Sequence, residues 1–133
     1  MRSVTATENA MMAAAFLPGE TVIKLAATEP HVQNLARFLE ALGVGIEGAG
    51  TNVITVRGIA QDKIAGAVDF SIIPDSDEAL AFAALAAATR SEIAIRKVNP
   101  DFIESGIMKL REMGVNLEIR EDSIVVGKPS ASL

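Results

Sequence analysis

Between residues 30 and 42 apolar side chains recur with the spacing of one helix face: Val32, Leu35, Ala36, Leu39 and Leu42. Pro30 suits the first helical turn, where its missing N–H removes nothing, and Gly43 suits a left-handed stop just past the end. Two short strands are predicted next, over 46–48 and 53–57, joined through Gly50, Thr51 and Asn52. The same pattern returns from Asn99. Pro100 opens, Ile103, Ile107 and Leu110 form the stripe, and Gly114 closes. Strands over 116–120 and 124–126 follow, joined through Glu121, Asp122 and Ser123. Pro30 matches Pro100 at an offset of 70, and Gly43 matches Gly114 at 71. The chain contains an internal repeat.

Each copy is preceded by a second kind of helix. Residues 6–16 and 79–88 are small and apolar almost all round, a pattern of helices covered on every side. Thr5 or Thr7 can cap the first, and Asp75-Ser76-Asp77-Glu78 caps the second. Strands are predicted over 21–27 and 93–98, with a further leading strand over 68–73 that Pro74 ends. An offset of 70 carries Glu8 onto Glu78 and Ile23 onto Ile93. The expected fold is therefore α/β (α+β), two tandem units in which two helices cover one face of a four-stranded mixed sheet. The first unit, 1–58, lacks its leading strand. A linker over 59–67, a second unit over 68–128 and a polar tail over 129–133, expected to fray, complete the plan.

Composition narrows the function. Of 133 residues, half are hydrophobic and 22% charged, a globular balance that leaves a core to bury. A net charge of −5, with Lys and Arg scattered, argues against nucleic acid and anionic membrane as partners. With no Cys and one His there is no disulfide, no thiol nucleophile and no thiolate or His-rich metal site. The longest apolar run, 79–88, is ten residues, about half of the roughly 20 that span a bilayer. No signal peptide pattern precedes it, so a cytoplasmic protein is expected. Gly43-Val44-Gly45 and Gly48-Ala49-Gly50 fail the dinucleotide pattern, because no strand-to-helix turn carries them. Read as residues alone, Ser3 is an N-cap, Glu29 and Asp75 are turn or cap residues, Met11-Met12 fills core and His31 is exposed.

Several longer motifs are more specific. They are Ser3-Val4-Thr5-Ala6-Thr7-Glu8-Asn9, the turn at 26–30, the run from Glu47 to Val56, Ile73-Pro74-Asp75, and Lys109 to Val115. Together the chain resembles a central piece of the UDP-N-acetylglucosamine enolpyruvyl transferase family over nearly its whole length. The resemblance implies repeated βαβαββ units with helices inside and sheets outside, and a boundary between two domains near 59–67. It implies that Ser3, Val4 and Thr5 lie at the phosphates and uridine of the nucleotide sugar, and that Glu29 and Asp75 belong to substrate-binding segments. Thr5 stands where the family usually has Gly, Thr28 where Arg is expected, and Ser76 where a second Arg is expected. The family's Lys-Asn pair, its mobile loop, its catalytic Asp and a C-terminal Arg match nothing in these residues. No catalytic residue, metal or cofactor is therefore assigned.

The implied function is a fragment or split part of an enzyme moving enolpyruvyl from phosphoenolpyruvate to UDP-N-acetylglucosamine in peptidoglycan precursor synthesis, inactive by itself. The alternative is a non-catalytic two-repeat module that self-assembles. Self-association follows under either reading, since the all-apolar helices want partners. Three chains would supply three units of each kind, and a dimer is the second arrangement.

Overall fold

The computed structural model describes residues 2–64 and 66–127 as a mixed α/β protein with small sheets. Two compact units divide between Ile73 and Pro74 rather than at the expected 59–67 linker.

In the first unit, α1 (Val4–Ala15) leads to β1 (Gly19–Lys24), α2 (Pro30–Ala41), β2 (Gly45–Glu47) and β3 (Val53–Gly58). The sheet order is β1-β3-β2, so the last strand lies in the middle, antiparallel to both neighbours. Its alternation decides what is inside: Ile54 and Val56 are fully buried, while Arg57 points outward. Both helices pack against that apolar face. α2 buries Val32, Ala36 and Leu39 from its predicted stripe, and α1 contributes Met11, Ala14 and Ala15. Asn34 is buried as well, its Oδ1 accepting the Ile73 N–H at 3.4 Å. The end of β3 passes so close to α1 that the Ile59 N–H donates to the Ala15 carbonyl at 3.0 Å, satisfying one orphan group of the helix terminus.

In the second unit, α3 (Ser76–Ala88), β4 (Ile93–Arg96), a 3₁₀ turn (Pro100–Ile103), α4 (Glu104–Glu112), β5 (Leu117–Arg120) and β6 (Ser123–Val126) follow in the same order. Here too the last strand is central, in the order β4-β6-β5 with antiparallel pairs. Ile124 and Val126 are buried on it, against Ala79, Ala83 and Ala86 of α3 and Ile107 and Leu110 of α4.

Four expectations change. Residues 68–73 form no strand: Ile72 is 83% exposed, Phe70 packs edge-on against Phe38, and the segment groups with the first unit. The segment joins neither sheet, although each sheet has unpaired edge strands. The second sheet consequently has three strands instead of four, the first has the three left by its expected missing leading strand, and neither holds a parallel pair where a mixed sheet was expected. The strands predicted over 21–27 and 93–98 stop early, at Lys24 and Arg96, because Leu25 and Lys97 adopt left-handed backbone (φ +58° and +57°). The helices α1 and α3 bury only one stripe; Ala84, Phe82 and Leu85 are exposed. The tail over 129–133 lies outside the described residues.

A Cβ at Gly58 would collide with the carbonyl oxygens of Ala14 and Leu17, which are backbone and cannot swing away. Gly58→Ala should therefore destabilise by about 1–3 kcal/mol. Gly66→Ala, where a Cβ meets nothing within 4 Å, should stay within about 0.5 kcal/mol of the parent. Urea denaturation of the two variants checks the contrast.

Candidate functional site

The N-terminus of α1 is built by Ser3. Its backbone is extended (φ −125°, ψ 120°), and its Oγ accepts the Ala6 N–H at 3.2 Å, an N-cap. The amides of Val4 and Thr5, in the first turn, have no intrahelical acceptor by helix geometry. Val4 is half-buried against the core, whereas Ser3 and Thr5 are exposed. The positive end of α1 thus presents a hydroxyl and two donor groups to solvent, an arrangement suited to an anion.

Thr7 sits one turn further in and is buried. It is not the N-cap that the sequence allows. Its Oγ1 donates back to the Ser3 carbonyl at 2.8 Å and accepts the Ala27 N–H at 3.0 Å. The hydroxyl therefore joins the start of α1 to the turn between β1 and α2. Glu29 ends that turn as the N-cap of α2 (φ −62°, ψ 153°) but makes no side-chain capping bond, and it is exposed. Its carbonyl takes the Gln33 N–H at 3.2 Å, and Gln33 Nε2 donates to the Thr28 carbonyl at 2.9 Å. The β2–β3 hairpin closes the same end: the Asn52 carbonyl accepts from Ala26, and Gly50 lies against the Gln33 side chain. Four of the five candidates, Ser3, Val4, Thr5 and Glu29, thus share one end of the first unit.

Asp75 lies in the second unit as the N-cap of α3, with Oδ1 accepting from the amides of Asp77 (2.9 Å) and Glu78 (3.1 Å). Near it, Pro74, Lys97, Asn99, Asp101, Glu121 and Asp122 line a shallow hollow. An apolar cavity of about 340 Å³ between the C-terminal ends of α3 and α4, edged by Arg90, contains none of the candidates. His31 is exposed, and no group of three or more His, Asp or Glu that could hold a metal occurs among the described residues. Among them too, no helix is long and apolar enough to cross a membrane. Sequence reasoning missed the bridging role of Thr7, because its partner Ala27 is twenty residues away and the bond carries no local pattern.

Charge is resolved on the outer sheet faces. Arg57 on β3 meets Glu47 at 2.6 Å and Glu20 at 3.4 Å, and its hydrogen bond and positive charge hold Glu47 below the usual carboxylate range. Arg120 does the same to Glu118 at 2.9 Å. Both pairs are solvent-exposed, so they contribute little to stability. A carboxylate depressed in the folded state stabilises above its unfolded pKa, and that contribution disappears as pH falls through the folded value. Arg57→Ala should raise the Glu47 titration midpoint toward its ordinary value. Carbon-detected NMR titration of the Glu47 carboxyl checks this, with Glu118, which Arg120 still holds low, as the control that Arg57→Ala should leave unchanged.

A family model described as EPSP synthase (3-phosphoshikimate 1-carboxyvinyltransferase) matches residues 1–133. A UDP-N-acetylglucosamine 1-carboxyvinyltransferase of Trichormus variabilis is 48% identical over 115 residues, which are 86% of this chain and 25% of the relative. One of Aeromonas hydrophila is 43% identical over 133 residues, 100% of this chain and 31% of the relative. In fold the chain is similar to the crystal structure of the enolpyruvyl transferase NikO from Streptomyces tendae. That likeness has a TM-score of 0.74 at 21% identity and covers 92% of this chain and 29% of the other. The chain spans about a quarter to a third of the length of these relatives.

Proposed function

The chain belongs to the EPSP synthase (3-phosphoshikimate 1-carboxyvinyltransferase) family, and on that premise we propose that it is part of an enolpyruvyl transferase acting on UDP-N-acetylglucosamine. The reaction moves the enolpyruvyl group of phosphoenolpyruvate onto the sugar nucleotide and releases phosphate, a cytoplasmic step toward peptidoglycan. The observation that carries this reading is the match to relatives named UDP-N-acetylglucosamine 1-carboxyvinyltransferase, at 43% identity across all 133 residues for one of them. The two units divide just before Asp75. That division supports a pair of repeats, each with the order αβαββ.

In this reading the Ser3 hydroxyl and the amides of Val4 and Thr5 receive the phosphates and uridine. Glu29 and Asp75 border the substrates. The Thr5 side chain is exposed and its backbone is ordinary helix, so a Cβ at this position costs no strain in the free protein. It does narrow the approach to the two amides. Thr28 and Ser76 bring no positive charge beside Glu29 and Asp75, so affinity for an anion rests chiefly on the helix end. Binding by residues 1–133 is accordingly weak.

Calorimetric titration of the 133-residue protein with UDP-N-acetylglucosamine tests this. A saturable heat that Ser3→Ala diminishes is expected, and no heat at millimolar ligand overturns the ligand assignment. The same protein should release no phosphate from phosphoenolpyruvate with UDP-N-acetylglucosamine, because the family's acid–base and loop groups match none of its residues. Turnover above buffer, in a preparation free of host enzyme, would contradict that.

A second reading, self-association, is favoured by one observation. α1 with its C-cap, and α3, expose Met12, Phe16, Phe82 and Leu85, each at least 40% accessible. Patches of this kind mark interfaces more often than free surface. Light scattering at micromolar concentration should give the mass of three chains, or of two in the second arrangement. One chain with no bound hydrophobic dye rules out both.

A further inference from the structure

We propose that the Thr7 hydroxyl is a positioning group, pinning the turn before α2 to the start of α1 so that Glu29 and the Ser3–Thr5 donors keep one arrangement. The inference rests on the ligand reading above and goes beyond it by naming what holds the site together.

The two units supply an internal comparison. Ser3 and Asp75 are both N-caps, and the buried stripe Thr7, Met11 and Ala14 of α1 corresponds to Ala79, Ala83 and Ala86 of α3, at an offset of 72. The first strands agree: Ile23 pairs Ile54 as Ile95 pairs Ile124. Leu25 and Lys97 both take left-handed backbone, and the next amide, Ala26 or Val98, donates to a hairpin carbonyl, Asn52 or Asp122, at 3.0 Å.

Beyond that point the units part. Val98 and Asn99 suffice to reach Pro100, whereas Ala26 to Glu29 precede Pro30. The longer turn adds a buried amide, that of Ala27, with no counterpart in the second unit. Its acceptor is Thr7, and the residue corresponding to Thr7 is Ala79, which has no hydroxyl. The insertion and the hydroxyl occur together in one unit and are absent together from the other.

The caps differ in the same way. Asn99 closes its own turn by accepting the Asp101 N–H at 3.0 Å, while Glu29 makes no capping bond. The shorter turn satisfies itself and is enough for the fold. The longer one spends a buried threonine, a poor helix former, and leaves a carboxylate uncommitted beside a helix N-terminus. A departure from a unit's own template that the fold does not require is where function is expected.

The test compares Thr7→Val, which keeps the shape and removes the hydroxyl, with Thr7→Ser, which restores it. Two measurements are made on the 133-residue protein: UDP-N-acetylglucosamine titration and amide hydrogen exchange. Thr7→Val should weaken binding roughly tenfold, the scale of a lost buried hydrogen bond. It should also speed Ala27 exchange by a similar factor while Ile54 and Val56 stay protected. Thr7→Ser should return both toward the parent. Parent-like binding in Thr7→Val, or failure of Thr7→Ser to restore it, overturns the proposal. If the parent protein binds no nucleotide sugar, the ligand reading falls. Exchange then decides the pinning: Ala27 protection unchanged in Thr7→Val overturns it, and protection lost in Thr7→Val but regained in Thr7→Ser supports it.

Discussion

The strand that comes last along the chain in each unit occupies the centre of its sheet, and the rest of the unit is arranged around that constraint. β3 carries Ile54 and Val56 at full burial, and β6 carries Ile124 and Val126 at 1% exposure. Each such side chain gains roughly 1.5–3 kcal/mol from leaving water. Both neighbouring strands pair only with this one. The helices must then cover the face on which these residues lie, because the opposite face carries Arg57, Glu20 and Glu47 in the first unit.

Central placement also fixes where the helices begin. The N-terminus of α1 and the cap of α2 meet through Thr7 at the end of the first unit where β1 stops. A left-handed residue turns the chain there, Leu25 in one unit and Lys97 in the other, and hands the next amide to the hairpin. Helix N-termini gathered at one end give a concentration of unpaired donors without any basic side chain. For an acidic chain that handles an anionic nucleotide, as proposed, this is a way to attract phosphate by geometry. Thr28 and Ser76, where the resemblance implies Arg, leave an anion with less help from side-chain charge than the family pattern implies.

The helices α1 and α3 are apolar on faces that their own units do not cover. α3 is the plainer case, with Ala83 buried and Ala84, Phe82 and Leu85 exposed one step around the helix. A surface helix with a single role would alternate more sharply.

Much of the fold was legible in the residues themselves. The α2 stripe, the Pro30 and Pro100 starts, the two hairpins and the Asp75 cap are local signals, since spacing and capping act within a few residues. The N-cap at Ser3 was equally readable, and so was the outward place of His31. Tertiary structure decided the rest. Residues 68–73 have strand composition but join neither sheet, and composition cannot report whether a strand is paired. Leu25 and Lys97 take backbone that their side chains disfavour, because the turn into the hairpin demands it. The offset of 70 carried Ile23 onto Ile93, yet the register matches it to Ile95; a slip of two preserves the face and so leaves no trace in the pattern. Thr7 became a bridge, not a cap, because its partner Ala27 is remote in sequence and arrives only when β1 has returned along α1.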